Sequence, residues 1–415
     1  MREDWNRRAG EDAYYYVAFG RRGQEDDEFF ATASDVVRSL VSELKRVSNR
    51  QAALEIGCGP GRLMRPLARH FAEIHGVDVS DEMIRMAAER LKDTPNAHAH
   101  RGTGSDLALF PDEAFDFVYS YAVFQHIPSR EVVFQYLREA RRVLKAGGIL
   151  RCQINGLPPH AQHYDTWSGV RITPEEIRDF TREQNLRLLA LEQIWTQYMW
   201  ITCRKPGAAA GSVSGPAAIR NISNALTGEA VAPASGAMAA LSLWIENLPP
   251  GCDLNGLAVT ADGLPCRGIF IGEPAADGVS QVNVALPDRI RTGLVPVEVR
   301  WQDRPLGAPA WFRLMPRGPL VPRISAVTDG INLLSGERIL SGFVKVGMTE
   351  VADPSEFRAT VGGLETGAVD SFCTDPLLDR YEFNFALPEG IGRGSHEVRI
   401  RLGKRAFAPV PVEVV

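Results

Sequence analysis

The chain has little cysteine and no long apolar run, and both absences limit what it can be. Its six cysteines in 415 residues include no Cys-x-x-Cys pair, so the sequence indicates neither a zinc site nor dithiol chemistry, and we predict no bound metal. No apolar segment approaches the roughly 18 residues that a membrane-spanning helix needs. Residues 1–12 are charged throughout and show no signal peptide, so the cytoplasm is the expected location.

Positive charge is not in excess either. The net charge is −5, and the composition, 45% hydrophobic and 23% charged, is that of an ordinary globular chain. Proteins that bind nucleic acid normally present a basic face, so we expect no nucleic acid partner. At about 100–200 residues per domain, the length predicts roughly three domains.

One short stretch, residues 53–61, organises the N-terminal half. An apolar run that carries Glu55 ends in glycines at alternate positions, 57, 59 and 61, and apolar residues at helical spacing follow. Glycine permits a positive φ and lets a ligand lie against the main chain. Turns of this kind hold nucleotide-like ligands at the carboxyl edge of a parallel sheet. The dinucleotide pattern Gly-x-Gly-x-x-Gly is not met, because its sixth position is Arg62.

Two further acids follow predicted strands. Asp78 ends the strand 74–78, 17 residues after Gly61 (78 − 61), where a carboxylate can accept hydrogen bonds from both hydroxyls of a ribose. The third predicted strand, 97–101, is followed by Ser105 and Asp106. Acids at successive strand ends are much less consistent with simple turn formation than one acid alone, and they predict a nucleoside site.

This set of residues resembles the motifs of class I S-adenosylmethionine-dependent methyltransferases. The resemblance covers residues 1–206 and implies an α/β fold with a doubly wound, Rossmann-like sheet and S-adenosyl-L-methionine as cofactor. It implies that Glu55 orders the region of the methionine half, the alternative being a strand acid satisfied by backbone donors. It also implies that Asp106 accepts a hydrogen bond from the adenine amino group while a neighbouring amide reads the ring. The implied cofactor-binding residues are Glu55, Gly57, Cys58, Gly59, Gly61, Asp78, Ser105, Asp106 and Leu107.

His126 is the candidate catalytic residue. It follows the predicted strand 115–120, where the family frequently has a histidine, and its near-neutral intrinsic pKa suits a general base. The alternative is a histidine that packs or caps at a helix start. Tyr121 and Gln125 are candidates for the acceptor pocket. The N-terminal aromatic residues, Trp5 and the run 14–16, belong either to a helix pair on the sheet edge or to a lid over the cofactor or acceptor.

The C-terminal half has a different composition. Residues 207–216 are small and flexible and read as a linker. Short alternating strands follow, and the segment 282–287 recurs as 383–388, an offset of 101 (384 − 283). We predict two all-β sandwich modules that resemble immunoglobulin-like domains, module 1 (residues 217–318) and module 2 (residues 319–415). We also expect residues 1–206 to fold and bind cofactor alone.

The sequence therefore predicts methyl transfer to an O or N atom of a small-molecule or glycan-like acceptor, whose identity it leaves open. The alternative is a catalytically silent cofactor-binding module on a β-sandwich binding scaffold. An oxidoreductase is disfavoured by Arg62 and by the acid on the adenine side. The β-modules are candidates for contact with a protein or another copy of the chain.

Overall fold

The computed structural model describes residues 1–18, 22–159, 164–207, 215–236, 238–331, 336–375 and 378–415. The chain divides into two compact units. Unit 1 comprises residues 1–11 and 30–317, and unit 2 comprises residues 12–29 and 318–415. Most of the predicted linker, 208–214, lies outside the described residues.

Unit 1 begins with an α/β sheet. Its strands run in the order β3-β2-β1-β4-β5-β7-β6; β1 to β5 are parallel, and β7 is antiparallel to both of its neighbours. This is the predicted doubly wound sheet. The strands are β1 (Ala52–Ile56), β2 (Glu73–Asp78), β3 (Ala97–Arg101), β4 (Phe115–Ser120), β5 (Leu144–Ile154), β6 (Arg187–Glu192) and β7 (Met199–Arg204).

Helices cover both faces of this sheet. Alternate strand residues point to opposite sides, so Leu54 and Val118 belong to one buried cluster and Ala53 and Phe117 to another. Side-chain oxygens cap three helices: Ser80 for α5, Ser129 for α6, and Thr173 for α7. The helices are α1 (Arg2–Ala18, interrupted at Asp12), α2 (Asp26–Ala31), α3 (Ser34–Glu43), α4 (Met64–Leu67), α5 (Asp81–Arg90), α6 (Arg130–Val143) and α7 (Pro174–Glu183).

One boundary differs from the sequence-based expectation. Residues 145–148, Lys-Ala-Gly-Gly, have the form of a glycine stop after α6, which predicts that the next strand starts at Ile149. Strand β5 instead starts at Leu144, because Leu144 already pairs with Phe115 of β4. The pairing register shifts before Phe117 meets Ile149, so the additional residues are accommodated as an irregularity within the strand.

Module 1 completes unit 1. Its strands pair in the orders β8-β10-β13-β12 and β9-β16-β14-β11, with β11 and β12 also forming a hairpin. Strand β12 pairs in addition with β6 of the α/β part, through Phe270 and Ala190. The strands are β8 (Ala218–Asn224), β9 (Val231–Pro233), β10 (Ala240–Glu246), β11 (Leu257–Ala261), β12 (Leu264–Ile271), β13 (Val279–Ala285), β14 (Gly293–Trp301), β15 (Arg304–Pro305) and β16 (Ala310–Met315).

Module 2 lies in unit 2 and repeats this strand order. Its sheets are β17-β19-β23-β22 and β18-β26-β24-β20-β21, and β23 and β24 lie 101 residues after β13 and β14. The resemblance to immunoglobulin-like domains stays a prediction. The strands are β17 (Arg323–Asp329), β18 (Arg338–Ile339), β19 (Phe343–Thr349), β20 (Phe357–Val361), β21 (Leu364–Glu365), β22 (Asp370–Asp375), β23 (Arg380–Ala386), β24 (Gly394–Leu402), β25 (Arg405–Ala406) and β26 (Val410–Val414).

Within the described ranges, no helix has both the length and the apolar character that crossing a membrane requires.

Candidate functional site

The glycine turn between β1 and α4 has the conformation that its sequence predicts. Gly57, Gly59 and Gly61 have φ values of 75°, 52° and 85°, in the region that side chains disfavour. The N–H groups of Gly57 and Cys58 donate to the carbonyl of Val77, at 2.8 and 3.0 Å, and tie the turn to the end of β2. A Cβ at Gly57 would lie 2.3 Å from Val123 Cγ2. Glycine is therefore required at this position for both conformation and space.

Asp78 joins the glycine turn to the start of α5. Its Oδ2 accepts a hydrogen bond from Gly59 N at 3.0 Å, and its Oδ1 accepts one from Ser80 N at 2.9 Å. Burial raises the pKa of Asp78, and these N–H groups oppose the rise. Each carboxylate oxygen has more than one acceptor site, so Asp78 can still accept the hydroxyls of a ligand.

Glu55 is buried in β1 beside β4. Its Oε2 accepts a hydrogen bond from the Tyr119 hydroxyl at 2.9 Å, and the two residues are register partners on neighbouring strands. Burial raises the pKa of Glu55 to about 8, so the carboxyl is mostly protonated at neutral pH. Its partner is a hydroxyl, whereas the alternative interpretation of the sequence invoked backbone donors. Cys58 in the same turn is also buried, and burial raises the pKa of its thiol.

The loop after β3 is held by its own side chains. The N–H groups of Ser105 and Asp106 donate to Thr103 Oγ1, at 3.2 and 3.1 Å. Asp106 Oδ1 accepts a hydrogen bond from Ala108 N at 3.1 Å. This is the turn-forming role, which the sequence presents as the alternative to ligand binding. The Leu107 N–H donates to Glu139 Oε2 at 3.1 Å, so this amide already has an acceptor.

Asp78 and Asp106 lie near one common side chain, Tyr136 of α6. Burial raises the pKa of Tyr136, and the charges of these two carboxylates raise it further. The structure therefore brings the two sequence-predicted acids into one region at the carboxyl edge of the sheet.

A ladder of stacked groups extends from the glycine turn along the sheet. The buried Arg62 donates to Thr32 Oγ1 at 2.9 Å, and its guanidinium lies 5.8 Å from the centroid of the Tyr121 ring. The Tyr121 ring stacks on the Trp200 ring at 5.8 Å between centroids. The Arg151 guanidinium lies 4.5 Å from the centroid of the Trp200 ring. The ladder fixes the position of Tyr121, which was predicted to line the acceptor pocket.

His126 is buried in a short 3₁₀ turn after β4. Burial, followed by the charge of Arg8, lowers its pKa to about 4, so the imidazole is neutral at pH 7. Its Nδ1 and the neighbouring Gln125 Oε1 have no hydrogen-bond partner among the residues that the structure describes. The cap of α6 is Ser129, so His126 does not cap that helix.

The first residues of α1 lie against both His126 and the start of α5. The Trp5 ring meets His126 edge-on at 5.4 Å between centroids. Asn6 Oδ1 accepts hydrogen bonds from Ser80 Oγ at 2.7 Å and from Glu82 N at 3.3 Å. These contacts favour the lid interpretation for residues 1–11, whereas Tyr14, Tyr15 and Tyr16 belong to unit 2.

Arg8 anchors residues 1–11. Its guanidinium donates to the carbonyl and to Oγ1 of Thr166, at 3.0 and 3.2 Å, and lies 4.9 and 5.3 Å from the Trp5 and Trp167 rings. The roles of Asn6, Arg8, Thr103, Tyr119 and Glu139 were not foreseen from the sequence. Thr103 acts within its own loop, whereas each of the other four depends on a partner at least 32 residues away, which no local pattern signals.

Residues 54–152 match the family model described as "Methyltransferase domain". Similar proteins include trans-aconitate 2-methyltransferase of Afipia carboxidovorans, 35% identical over 119 residues, which are 28% of this chain and 43% of the relative. Ubiquinone biosynthesis O-methyltransferase of Roseobacter denitrificans is 29% identical over 148 residues, 32% of this chain and 58% of the relative. Phosphoethanolamine N-methyltransferase 2 of Caenorhabditis elegans is 36% identical over 100 residues, 24% of this chain and 22% of the relative.

Among solved structures, magnesium protoporphyrin IX methyltransferase from Synechocystis, with bound SAH, has a TM-score of 0.36 and 16% identity. That similarity covers 49% of this chain and 97% of the other. The chain spans at most 58% of the length of the three relatives named above.

Proposed function

We propose that this chain, whose residues 54–152 form a class I S-adenosylmethionine-dependent methyltransferase domain, binds that cofactor and methylates an O or N atom of a small-molecule or glycan-like acceptor. The observation that carries the proposal is the pair of hydrogen bonds by which Asp78 holds both Gly59 and Ser80. It sets a carboxylate beside a glycine turn at the carboxyl edge of a parallel sheet. The proposal includes a cytoplasmic location.

The residues present fit the cofactor. The turn has no side chain at three positions, which permits a ligand to approach the main chain closely. Asp78 keeps acceptor sites for ribose hydroxyls, and Asp106 is assigned to the adenine amino group. The Leu107 N–H donates to Glu139, so reading of the ring by this amide would require that bond to be exchanged.

When bound, the cofactor supplies a methyl group already activated by a sulfonium, so the protein has mainly to position the acceptor. Positioning can contribute about 7–11 kcal/mol of barrier reduction. We assign the positioning of the acceptor to Tyr121, Gln125 and the lid residue Trp5. The neutral His126 can accept a proton from an acceptor, although a pKa of about 4 makes it a weak base. Acceptors with an acidic O–H, or with no proton to lose, suit it best.

A catalytically silent cofactor-binding module is the second candidate. The burial of His126 favours this candidate, because it lowers the pKa of the imidazole to about 4. A base with so low a pKa removes a proton poorly from an ordinary alcohol or amine. The relatives named above include both O- and N-methyltransferases, so they do not fix the acceptor atom. We would measure formation of the demethylated cofactor in the presence of a panel of phenols, carboxylic acids, amines and glycans. Product formation with any of them supports catalysis, and none with all of them supports binding alone.

Calorimetry with S-adenosylmethionine tests the cofactor assignment. In Asp78→Ala we expect affinity to fall by about tenfold to a hundredfold, because hydrogen bonds to a charged group are worth about 1.5–3 kcal/mol. Asp78→Asn keeps one acceptor oxygen for the turn and guards against a folding defect. The exposed Asp35→Ala is the matched control. Unchanged affinity in both Asp78 variants would remove this residue from the site.

A further inference from the structure

A second cleft opens in unit 1, away from the glycine turn. One side of the cleft is formed by the end of α7 and the start of β6, and the other by the 251–256 loop of module 1. Its volume is about 360 Å³. Ligand sites commonly measure about 300–1,000 Å³ and often lie where two parts of a protein meet. The residues whose chemistry matters here are Arg182, Asn185, Arg187, Asp253, Asn255 and Trp301.

Arg187 provides a donor that the fold leaves unused. Its Nη2 donates to the carbonyl of Cys252 at 2.9 Å, but its buried Nε has no partner within the described part of the chain. Burial and the charge of Arg204 lower the pKa of Arg187. The charges of Glu273 and Asp253 oppose that drop, so the reason to expect an acceptor beside this guanidinium is the buried N–H without a partner.

Two further arginines lie near Arg187: Arg204 is its register partner on β7, and Arg204 Nη2 donates to the carbonyl of Arg46 at 2.9 Å. Arg46 and Arg204 share one carboxylate, Glu273, at 3.3 and 2.9 Å, and Arg46 has a second acid in Glu43 at 2.7 Å. Arg46 Nη2 and Arg204 Nε also lack hydrogen-bond partners in the described structure. The two acids match these two cations in number, so the positive charge available to a ligand is that of the cleft lining itself.

The one acid in the cleft is already engaged. Asp253 Oδ1 accepts hydrogen bonds from the N–H groups of Asn255 and Gly256, at 3.2 and 2.9 Å, and shapes the loop. Arg182 stands at the mouth of the cleft, where its ion pair with Asp179 is exposed and therefore weak. With Arg182, Arg187 and Asp253 as the charged lining residues, one positive charge is left over.

The lining of the cleft also includes the indole of Trp301. A Cβ at Gly256 would lie 2.5 Å from Cζ3 of Trp301, so glycine lets the loop lie directly against the indole. Indole faces pack well against planar or ring-shaped organic groups.

We propose that this cleft binds a small phosphate ester, with its phosphoryl oxygens on Arg182 and Arg187 and its organic part against Trp301. Planar guanidinium groups match phosphate oxygens in pairs, which makes arginine well suited to phosphate recognition. Asn185 and Asn255 supply amide groups of the kind that hydroxyls of such a ligand require. This ligand would bind in addition to the cofactor, in a different part of unit 1.

Calorimetry of the full chain with glucose 1-phosphate, at fixed ionic strength and with glucose as the uncharged comparison, tests the proposal. We expect binding of the phosphate ester only, weakened about tenfold or more by Arg182→Gln and by Arg187→Gln. Arg182 is on the helix surface, so its variant should fold normally even if Arg187→Gln does not. Arg313→Gln, at an exposed arginine of β16 outside the cleft, is the matched control.

Equal affinity for glucose and glucose 1-phosphate would overturn the proposal, as would equal affinity in the Arg182 and Arg313 variants. Absence of millimolar binding by glucose 1-phosphate and by AMP would also reject it. Cofactor affinity, measured in parallel, should be unchanged in all three variants. A failure of cofactor binding would thus be separate from a failure at this cleft.

Discussion

The two β-modules have the same strand order, but module 1 continues into the α/β sheet, whereas the described strands of module 2 form two sheets of their own. Phe270 of β12 pairs with Ala190 of β6, and its ring lies 4.8 Å from the Arg46 guanidinium. Phe270 also pairs with Asn283 of β13. In module 2 the counterpart of Asn283 is Asn384, and it pairs with Asp370 of β22, so Asp370 takes the place of Phe270. Asp370 is exposed. The repeat thus preserves topology, while the surface that joins module 1 to the α/β part is specific to that copy.

Tryptophan fluorescence can observe this difference directly. All seven tryptophans of the chain lie in the sequence ranges of unit 1. Unfolding followed by their emission therefore reports unit 1, whereas calorimetry reports both units. The positions are Trp5, Trp167, Trp195, Trp200, Trp244, Trp301 and Trp311.

Truncation should have the largest effect. A chain ending at residue 206 loses the β-strand partner of Ala190 and the side chain of Leu254, whose backbone N–H donates to the Leu188 carbonyl at 2.8 Å. Each large buried apolar side chain contributes about 1.5–3 kcal/mol. We expect this chain to be insoluble or far less stable than a chain ending at residue 317. Equal denaturation midpoints would instead support the expectation, still untested, that residues 1–206 fold alone.

Removing Glu273 should weaken unit 1 without touching module 2. Arg46 is fully buried and would lose one of its two acids, so we expect Glu273→Ala to cost about 3 kcal/mol. Glu382→Ala, which breaks a partly exposed pair with Lys345 at 3.0 Å, should cost about 1 kcal/mol or less and leave the tryptophan transition in place. Similar shifts of that transition in both variants would contradict this account of the junction.

Acid should destabilise unit 1 through its buried histidines. His126 has a pKa of about 4 when folded and an ordinary value of 6.5, so the unfolded chain binds more protons between these values. Stability is therefore lost as the pH falls from 6.5 to 4, by up to about 3 kcal/mol at 1.36 kcal/mol per pKa unit. Burial also lowers the pKa of His75 to about 4, with the same sign.

His126→Gln should flatten this pH dependence of the tryptophan transition. His396→Gln in module 2 is the control, because no tryptophan reports on that unit. An unchanged slope in His126→Gln would show that this residue is protonated equally in both states.

The smallest effect is expected at the apolar residue of the junction itself. Phe270 is half-buried and stacks near Arg46, so Phe270→Ser should cost about 1–2 kcal/mol. Phe372 on β22 of module 2 is 51% exposed, and Phe372→Ser should stay within about 0.5 kcal/mol by calorimetry. The reverse order would mean that the β6–β12 pairing adds nothing to stability.

Local patterns predicted the sheet and the glycine turn well, because strand alternation, helical spacing and glycine turns act over a few residues. The partners of the site residues were not predictable in the same way. Glu55 meets Tyr119 only through the register of β1 on β4, and Leu107 meets Glu139 across 32 residues. The junction of Phe270 with Ala190 is a single pair of residues from distant strands, for which periodicity provides no signal.

The protonation of Glu55 makes ligand binding at this site dependent on pH. With a pKa of about 8, this carboxyl is electrically silent in the free chain at neutral pH, held by Tyr119. A cation arriving nearby would lower that pKa and expel the proton into solution. Glu55 would then add its negative charge beside the glycine turn only in the presence of a positive ligand. Association should accordingly release a proton, and its apparent heat should vary with the ionisation enthalpy of the buffer; identical heats in all buffers would show that Glu55 keeps its proton.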